Sequence, residues 1–247
     1  MQKNNIIGPK WLRERSILLI LLPNPENNKE EMKKIMIIDG GPRKRMNTAT
    51  MVEAFMKGAQ SAGPEIEVKH VRLYDIEYKG CVSCLACKLK ESRFTDYCAH
   101  KDGIWEILKE TAYADGLCLA SPIYFGDITA QTKAFLERLY FPWLSYNDYS
   151  LNAPKRMPTA FIYTMNAGEE FMPGMESTFE QIEAMTTAFL QKPERITALN
   201  TCQVNDYDLY NMKAYSKEEK LKWREEHFEK DLQQAFEAGR RMALYRG

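Results

Sequence analysis

Four cysteines lie close together in the first half of the chain. Cys81, Cys84 and Cys87 form a C-x2-C-x2-C array, and Cys98 follows after a gap of ten residues. Thiolates at this spacing can hold an iron–sulfur cluster or a zinc ion, because a tight turn points several sulfurs at one centre. Reduced structural thiols and a redox-active pair are alternatives that the spacing leaves open. The array is therefore a candidate metal site.

A basic, glycine-rich turn is the second chemical signal. The apolar run 35–38 ends at residues 39–42, Asp-Gly-Gly-Pro, which cannot continue a strand, and three cations follow at 43–45. Asn47 and Thr48 then cap a helical pattern, so backbone N–H groups and cations meet at one helix start, which predicts a phosphate site. The turn lacks the motifs of nucleotide triphosphate loops and of dinucleotide folds. An ordinary strand–helix turn with a basic surface is the alternative.

Two further loops are predicted at the same edge of the sheet. Residues 121–127, Ser-Pro-Ile-Tyr-Phe-Gly-Asp, follow the buried run 117–120, and residues 164–168 follow another apolar run. Open α/β sheets bind their ligands at the carboxyl ends of central strands. Tyr124 and Phe125 can wall a planar ring there, although aromatic pairs in loops also serve packing.

Apolar runs and helical periodicities alternate along the chain from residue 32 onward. The candidate strands are residues 35–38, 65–73, 117–120, 159–163 and 196–199. Amphipathic helical patterns separate the strands, and a last one covers 216–244. Five strands alternating with five helices predict an α/β fold with a doubly wound parallel sheet and helices on both faces. The segment 141–158, rich in Tyr, Trp and Pro, is predicted to be an insertion that covers the site or a dimer interface.

Length and charge limit the classes of partner. The chain has 247 residues, 45% of them hydrophobic, and 34 basic side chains balance 34 acidic ones. This length suits one large domain. A net charge of zero gives no general attraction to nucleic acid or to an anionic membrane. We therefore expect neither partner, and we expect a cytoplasmic location.

The first 31 residues do not continue the α/β pattern. Residues 16–22 are apolar but too short to span a bilayer. Arg13 and Arg15 precede them as in a secretion signal, but no small-x-small cleavage site follows. We expect residues 1–31 to be an extension, either not native, with translation starting at Met32, or an arm that packs on a neighbouring subunit. Residues 32–247 are expected to form the domain.

The order of these motifs resembles a known family. Residues 40–48, GGPRKRMNT, look like the phosphate loop of flavodoxin-like NAD(P)H-dependent FMN reductases. Residues 121–135, SPIYFGDITAQTKAF, are similar to their second flavin loop, and the cysteine array resembles that of the iron–sulfur flavoproteins in this group. The resemblance covers residues 32–199. It implies a five-stranded flavodoxin-like sheet in the order 2-1-3-4-5, bound FMN, and a homodimer or homotetramer.

The resemblance also assigns roles to individual residues. The FMN phosphate would be held by Gly41, Pro42, Arg43, Asn47 and Thr48. The isoalloxazine ring would be contacted by Pro122, Ile123, Tyr124, Phe125 and Gly126, and its other edge closed by Asn166, Ala167 and Gly168. The cluster ligands would be Cys81, Cys84, Cys87 and Cys98. Two departures stand out: Gly41 replaces the serine usual in the family, and the gap before Cys98 is longer than in cluster-bearing members.

The expected function follows from FMN itself. Flavin takes hydride from a nicotinamide and releases electrons singly or in pairs, so the protein must position rings rather than supply an acid–base pair. No catalytic residue is assigned. We expect an NAD(P)H-dependent oxidoreductase that passes electrons to a quinone, a free flavin or another small acceptor. The alternatives are an iron–sulfur flavoprotein that carries electrons to protein partners and a module that binds flavin without turnover.

Overall fold

Five parallel strands form the centre of the part of the chain that the structure describes, residues 32–246. The expectations for residues 1–31 lie outside the described residues of this computed structural model. With one short antiparallel strand, the described residues contain six strands: β1 (Lys33–Asp39), β2 (Ile66–Arg72), β3 (Gly116–Tyr124), β4 (Asp127–Ile128), β5 (Thr159–Thr164) and β6 (Glu194–Ala198). The short β4 pairs antiparallel with the end of β3. The other five follow the order β2-β1-β3-β5-β6, which confirms the predicted flavodoxin-like order, with β4 as an unpredicted addition.

The central strand β1 is apolar on both faces, as its sequence predicts. Ile35, Met36, Ile37 and Ile38 are all fully buried. Ile35 and Ile37 belong to one core layer, and Met36 and Ile38 belong to the other. Successive side chains of a strand point to opposite faces, so a continuous apolar run requires a covering layer on each side.

Helices cover both faces of the sheet. Those of the described residues are α1 (Asn47–Gln60), α2 (Trp105–Ala112), α3 (Ala130–Tyr140), α4 (Met172–Phe189), α5 (Lys217–Trp223) and α6 (Glu229–Leu244). Side chains of α1 and α6 pack in one core layer, and those of α2, α3 and α4 pack in the other. The last helix, predicted over 216–244, is present as a continuous helical stretch over 217–244, in which a π-helical turn, Arg224–Phe228, joins α5 to α6. None of the described helices combines the length and the apolarity that crossing a membrane requires.

Helices α1 and α6 approach each other closely through two glycines. A Cβ atom on Gly58 would lie 1.8 Å from the carbonyl oxygen of Phe236, and one on Gly239 would lie 2.1 Å from that of Phe55. Both distances are far below van der Waals contact, so only glycine permits this spacing. The last helix is thereby packed tightly against the helix that follows the basic turn.

Strand β3 is longer than predicted. The sequence pattern assigns residues 121–127 to a loop, but β3 continues to Tyr124 and the chain returns through β4. The carbonyl of Ala120 faces the end of β1, where it accepts from the Gly40 N–H group at 2.8 Å. Pro122, two residues on, faces the same side beyond the last pair of β1 with β3. Its missing N–H group therefore breaks no ladder hydrogen bond.

Helix α3 starts later than predicted. The sequence predicts a helix whose inward-facing residues are Ile128, Phe135, Leu136 and Leu139, whereas Ile128 lies in β4 and Thr129 occupies the N-cap of α3. The Thr129 hydroxyl accepts from the Thr132 N–H group at 3.4 Å. This capping fixes the start of α3 beside the glycine turn, since Thr129 also donates to the Gly40 carbonyl at 3.0 Å.

Candidate functional site

Ten of the thirteen residues predicted to hold the phosphate and the ring line one cavity. Its volume is about 420 Å³, within the roughly 300–1,000 Å³ typical of small-molecule sites. The predicted residues that line it are Gly41, Pro42, Arg43, Asn47, Thr48, Pro122, Ile123, Tyr124, Phe125 and Asn166. They come from the segments that follow β1 and β5 and from the end of β3. Distant segments of the sequence thus converge at the carboxyl edge of the sheet.

Three of the predicted ring residues lie outside the lining of this cavity: Gly126, Ala167 and Gly168. Gly126 has a φ of 83°, a left-handed conformation that glycine adopts readily, and it connects β3 to β4. The Ala167 carbonyl accepts from the Asn200 N–H group at 2.8 Å. These residues shape the loops through their backbones, and a contact between them and a ring stays a prediction.

A buried carboxylate fixes the glycine turn. Asp39 is fully buried and accepts from the Gly41 N–H group at 2.7 Å and from the Arg72 guanidinium at 2.9 Å. Arg72 also donates to the Gly41 carbonyl at 3.2 Å. Charge-assisted hydrogen bonds of this kind are short and directional, so the pair holds the backbone of the turn in one conformation. The sequence analysis missed this pairing, which joins the ends of β1 and β2.

Space is severely limited at Gly40 and tight at Gly41. A Cβ atom on Gly40 would lie 1.9 Å from Thr132 Oγ1 and 2.9 Å from Thr129 Oγ1. One on Gly41 would lie 3.0 Å from the Cβ atom of Thr48. The side chain of Thr48 therefore packs directly against the position where the family usually has serine. Any larger residue at position 41 would press on the first turn of α1.

The start of α1 has no side-chain cap in the described structure. Met46 holds the N-cap position, so the prediction that Asn47 and Thr48 cap this helix is wrong. The Asn47 amide instead donates to the Cys202 carbonyl at 2.8 Å and accepts from Arg224 at 3.1 Å. First-turn N–H groups without a side-chain acceptor, next to the cavity, favour an anionic ligand.

The sequence analysis missed one wall of the cavity. Thr201, Gln203, Met212 and Tyr215 line it from the segment between β6 and α5, and the wall is completed by Met46, Thr164 and Met165. Arg43 reaches this segment and donates to the Gln203 carbonyl at 2.5 Å. No periodic pattern marks the segment. The rule that ligands bind beyond the carboxyl ends of strands, applied to β6, is the signal that locates it.

The cavity lining is almost entirely neutral. Among the described residues that line it, Arg43 is the only charged one, and there is no carboxylate, histidine or thiol. Asn166 Oδ1 is buried and has no hydrogen-bond partner within the described part of the chain. Buried acceptors are nearly always paired, so this oxygen is available to an N–H group of a ligand. The arrangement suits a planar ligand with an anionic end and offers no acid–base pair.

The four cysteines of the array lie around a second, smaller cavity. Cys81, Cys84, Cys87 and Cys98 all line it, and its volume is about 20 Å³. Within residues 32–246, no group of three or more Cys, His, Asp or Glu side chains is arranged to hold a metal ion. A zinc ion needs sulfurs about 2.3 Å from one centre, so the described structure contains no ready-made zinc site.

The backbone of the cysteine loop contains two left-handed residues. Ser83 has a φ of 52° and Leu85 a φ of 57°. Turns of this kind can orient successive N–H groups towards an anion and are common at phosphate and iron–sulfur sites. Burial raises the pKa of the Cys87 thiol above its usual range. The loop conformation is therefore compatible with an anionic centre. Cys81, Cys87 and Cys98 are half-buried, whereas Cys84 is exposed.

A buried guanidinium anchors the cysteine loop. Arg138 of α3 is 1% exposed and donates to the Asp102 carboxylate at 2.5 Å and to the carbonyls of Lys79 and His100 at 3.2 and 2.6 Å. Its Nε atom is buried and has no partner in the described structure. Sequence analysis missed this residue, which sets a fixed positive charge beside the four thiols.

The match to a known family covers more than half of the chain. A family model described as NADPH-dependent FMN reductase matches residues 33–186. The chain belongs to the NADPH-dependent FMN reductase family. Among its relatives, iron–sulfur flavoproteins of Methanocaldococcus jannaschii and Methanosarcina thermophila are 36% and 34% identical over 105 residues. Each match covers 42% of this chain and 51% of the relative, so the chain spans about half the length of the curated relatives it matches.

Solved structures share the fold of this FMN reductase family member. An NAD(P)H:quinone oxidoreductase from Methanothermobacter marburgensis has a TM-score of 0.60 at 16% identity, covering 84% of this chain and 98% of that one. An FMN-dependent NADH-azoreductase from Bacillus anthracis, solved in complex with FMN, has a TM-score of 0.59 at 12% identity, covering 86% and 100%. At these identities the likeness shows the flavodoxin-like fold alone.

Proposed function

We propose that this protein is an FMN-dependent NAD(P)H oxidoreductase that passes electrons to a small acceptor such as a quinone or a flavin. The main support is the cavity at the carboxyl edge of the sheet, which combines an uncapped helix start, one guanidinium and an aromatic wall. An anionic, planar ligand fits this combination. Family membership supports FMN as that ligand.

The residues present fit both ends of FMN. The N–H groups of the first turn of α1 and the Arg43 guanidinium would hold the phosphate through charge-assisted hydrogen bonds. Gly41 would line the phosphate end without donating, because its N–H group already donates to Asp39. The ring would lie against the wall formed by Pro122, Ile123, Tyr124 and Phe125. The free Oδ1 atom of Asn166 would accept from an N–H group of the ring.

Positioning is the contribution of the protein to the reaction. Bound FMN would supply the chemistry by accepting a hydride from a nicotinamide and passing electrons to the acceptor. The loops fix the ring at the sheet edge, and Phe125, fully exposed and with a φ of 51°, lies at the open side of the cavity. An open side lets a nicotinamide, and afterwards an acceptor, reach the ring, and holding reactants in this way lowers the barrier without an acid–base group.

An absorption spectrum of protein purified without oxygen, recorded before and after addition of NADPH, tests this proposal. Flavin bands that bleach on addition of NADPH are the expected result. The observation that would contradict the proposal is a colourless protein that also fails to take up added FMN. If the flavin bands are present but NADPH leaves them unchanged, the protein binds FMN but is not an NADPH-dependent reductase.

Replacing Arg43 by alanine tests the phosphate assignment. A hydrogen bond to a charged group contributes about 1.5–3 kcal/mol, so Arg43→Ala should raise the Kd for FMN about 10–100-fold while the melting temperature stays unchanged. Lys44→Ala is the matched control, because Lys44 belongs to the same turn but pairs with Asp75 at 3.3 Å and does not line the cavity. A titration that gives Arg43→Ala the wild-type Kd would exclude this role.

A second candidate function is electron transfer through an iron–sulfur cluster to a protein partner. The observation that favours it is the position of all four array cysteines around one cavity beside the buried Arg138. Their sulfurs would be the ligands, and the guanidinium would offset part of the negative charge of the thiolates. Such a cluster would supply single-electron transfer. The relatives named iron–sulfur flavoproteins support the same reading.

Iron analysis separates this candidate from the first. Anaerobic protein carrying a cluster should contain iron and acid-labile sulfide in equal amounts and give an electron paramagnetic resonance signal after reduction. Cys84→Ser should lose iron, whereas Cys202→Ser should keep it, because Cys202 is buried outside the cysteine cavity. Anaerobic protein that contains neither iron nor sulfide would exclude the cluster and leave the flavin proposal intact.

A further inference from the structure

Lys220 is a buried lysine without an ion-pair partner among the described residues. Its side chain, on α5, is 6% exposed. Its ammonium group donates to the Asn166 carbonyl at 2.6 Å and to the side-chain oxygen of Asn200. Burial lowers the pKa of this ammonium group below its usual range. A buried cation whose hydrogen bonds all go to neutral oxygens retains a strong preference for nearby negative charge.

The ammonium group of Lys220 lies directly behind the wall of the cavity at the carboxyl edge of the sheet. This cavity is called the larger cavity below, to distinguish it from the cavity lined by the four cysteines. Asn166, which receives the Lys220 hydrogen bond, lines the larger cavity. The Tyr215 ring, whose centroid is 5.3 Å from Lys220 Nζ, lines it as well. Lys220 itself is not part of the lining. One layer of side chains therefore separates its charge from a bound ligand.

The same ammonium group joins two loops of the cavity. Asn200, at the end of β6, has a left-handed φ of 51°, and its N–H group donates to the Ala167 carbonyl at 2.8 Å. Thr201 donates from its N–H group to the Met165 carbonyl at 3.0 Å. Lys220 adds bonds to Asn166 and Asn200, so the loop after β5 and the loop after β6 are fixed together where the charge is located.

We propose that Lys220 is a positioning residue whose buried charge makes the cavity prefer the reduced form of bound FMN. This inference rests on the proposed function. A hydride from NADPH brings two electrons and one proton, so the ring gains one negative charge while NADPH becomes NADP⁺. The Lys220 ammonium stabilises that charge through the low-dielectric wall, where electrostatic interactions are stronger than in water. Oxidised FMN, with a neutral ring, gains no such stabilisation.

Three variants separate the charge of Lys220 from its hydrogen bonds. Lys220→Gln removes the charge and keeps N–H donors, and Lys220→Met removes both. Asn200→Gly keeps the charge, removes one acceptor, and suits the left-handed backbone at this position. For each protein, the Kd for oxidised FMN is measured by fluorescence quenching. The two-electron midpoint potential of bound FMN is measured against a dye of known potential.

The expected result is a shift in potential that follows the charge. Lys220→Gln and Lys220→Met should weaken the binding of reduced FMN about tenfold more than that of oxidised FMN, which lowers the midpoint potential by about 30 mV for two electrons. Asn200→Gly should keep the wild-type potential even where its Kd rises.

Two outcomes would overturn the inference. A purely structural lysine would change the Kd values of oxidised and reduced FMN equally, and the potential would not move. If circular dichroism showed that neither Lys220 variant folds, the lysine would be a structural requirement instead. Failure of the proposed function is distinguishable, because the wild-type protein would then fail to take up FMN or fail to be reduced by NADPH.

Discussion

The two candidate sites are held in place by different means. The larger cavity lies at the ends of parallel strands, and its glycine turn is fixed by backbone ladders and by the buried Asp39–Arg72 pair. The cysteine loop belongs to residues 76–104, where the described structure has no strand and only one helical turn, Ala86–Lys88. A site at a sheet edge inherits the rigidity of the sheet, whereas the cysteine loop depends on individual side chains.

Few side chains anchor the cysteine segment to the rest of the fold. Arg138 bonds to one carboxylate and two carbonyls, as described above. The Lys88 ammonium donates to carbonyls of the insertion 141–158, including that of Pro142 at 3.2 Å. Trp143, fully buried in the same insertion, donates from its indole N–H group to the Asp96 carbonyl at 2.7 Å. The insertion predicted to cover the site or a dimer interface thus packs on the cysteine segment, and none of its residues lines the larger cavity.

Replacing Arg138 by methionine should cause the largest loss of stability. It should disturb the cysteine loop and leave the larger cavity intact. The change leaves Asp102 and the carbonyls of Lys79 and His100 without their donor, and breaking a buried ion pair in this way costs about 3–5 kcal/mol. Urea denaturation should show a loss of that size in the free energy of unfolding. Protein that remains folded should bind FMN with nearly the wild-type Kd.

Arg241→Met is the control for this comparison. Arg241 also pairs with a carboxylate, Glu194, but its side chain is 57% exposed, and exposed pairs contribute about 0–1 kcal/mol. An Arg138→Met loss as small as that of Arg241→Met would show that the cysteine segment has anchors beyond the guanidinium. A large loss of FMN affinity in Arg138→Met would show that the two sites are not independent.

Replacing Gly40 by alanine should instead distort the glycine turn that lines the larger cavity. The alanine Cβ atom would overlap Thr132 Oγ1 at 1.9 Å, and overpacking of this kind costs about 1–3 kcal/mol. The turn must shift, so Gly40→Ala should lower the melting temperature and raise the Kd for FMN, with no change in iron content. Gly174→Ala is the control, since no atom lies within 4 Å of its Cβ position in α4. Alanine in a helix is favoured over glycine by about 0.5–1 kcal/mol, so this variant should be more stable than wild type.

The sequence predicted the features that local patterns encode. The apolar run 35–38, the two glycines after it and the helical period from Asn47 place the first strand, turn and helix correctly. These features depend on neighbours in the chain, so composition and spacing reveal them. The order of the five parallel strands followed from the resemblance to the FMN reductase family.

The sequence could not predict contacts between distant residues. The bond from Lys220 to Asn166 spans 54 positions, and that from Arg138 to Asp102 spans 36. The wall after β6 has no periodicity, and the continuation of β3 through Pro122 depends on where a neighbouring strand ends. Each of these features depends on residues that are close in the fold but distant in the sequence. The homo-oligomer, the cytoplasmic location and the nature of residues 1–31 stay predictions.

Two tryptophans test the difference in rigidity between the two sites through the smallest expected effect. Each donates an indole N–H group to a backbone carbonyl: Trp105 to Cys98 at 2.9 Å, and Trp223 to Leu199 at 3.1 Å. Replacing either by phenylalanine removes one hydrogen bond worth about 0.5–1.5 kcal/mol. Hydrogen–deuterium exchange should therefore speed up several-fold in residues 79–98 of Trp105→Phe. In Trp223→Phe, exchange in residues 199–203 should change little.

The reason for this asymmetry is the number of remaining bonds. Without the Trp223 bond, the loop after β6 keeps its backbone bonds from Asn200 to Ala167 and from Thr201 to Met165. Local opening of this loop therefore still requires breaking two backbone hydrogen bonds. Without the Trp105 bond, the Cys98 end of the loop keeps the bonds from Arg138 to the His100 carbonyl and from Trp143 to the Asp96 carbonyl, which come from individual side chains and not from the backbone. Faster exchange in residues 199–203 of Trp223→Phe, equal to that in residues 79–98 of Trp105→Phe, would mean that the sheet edge confers no extra rigidity on the larger cavity.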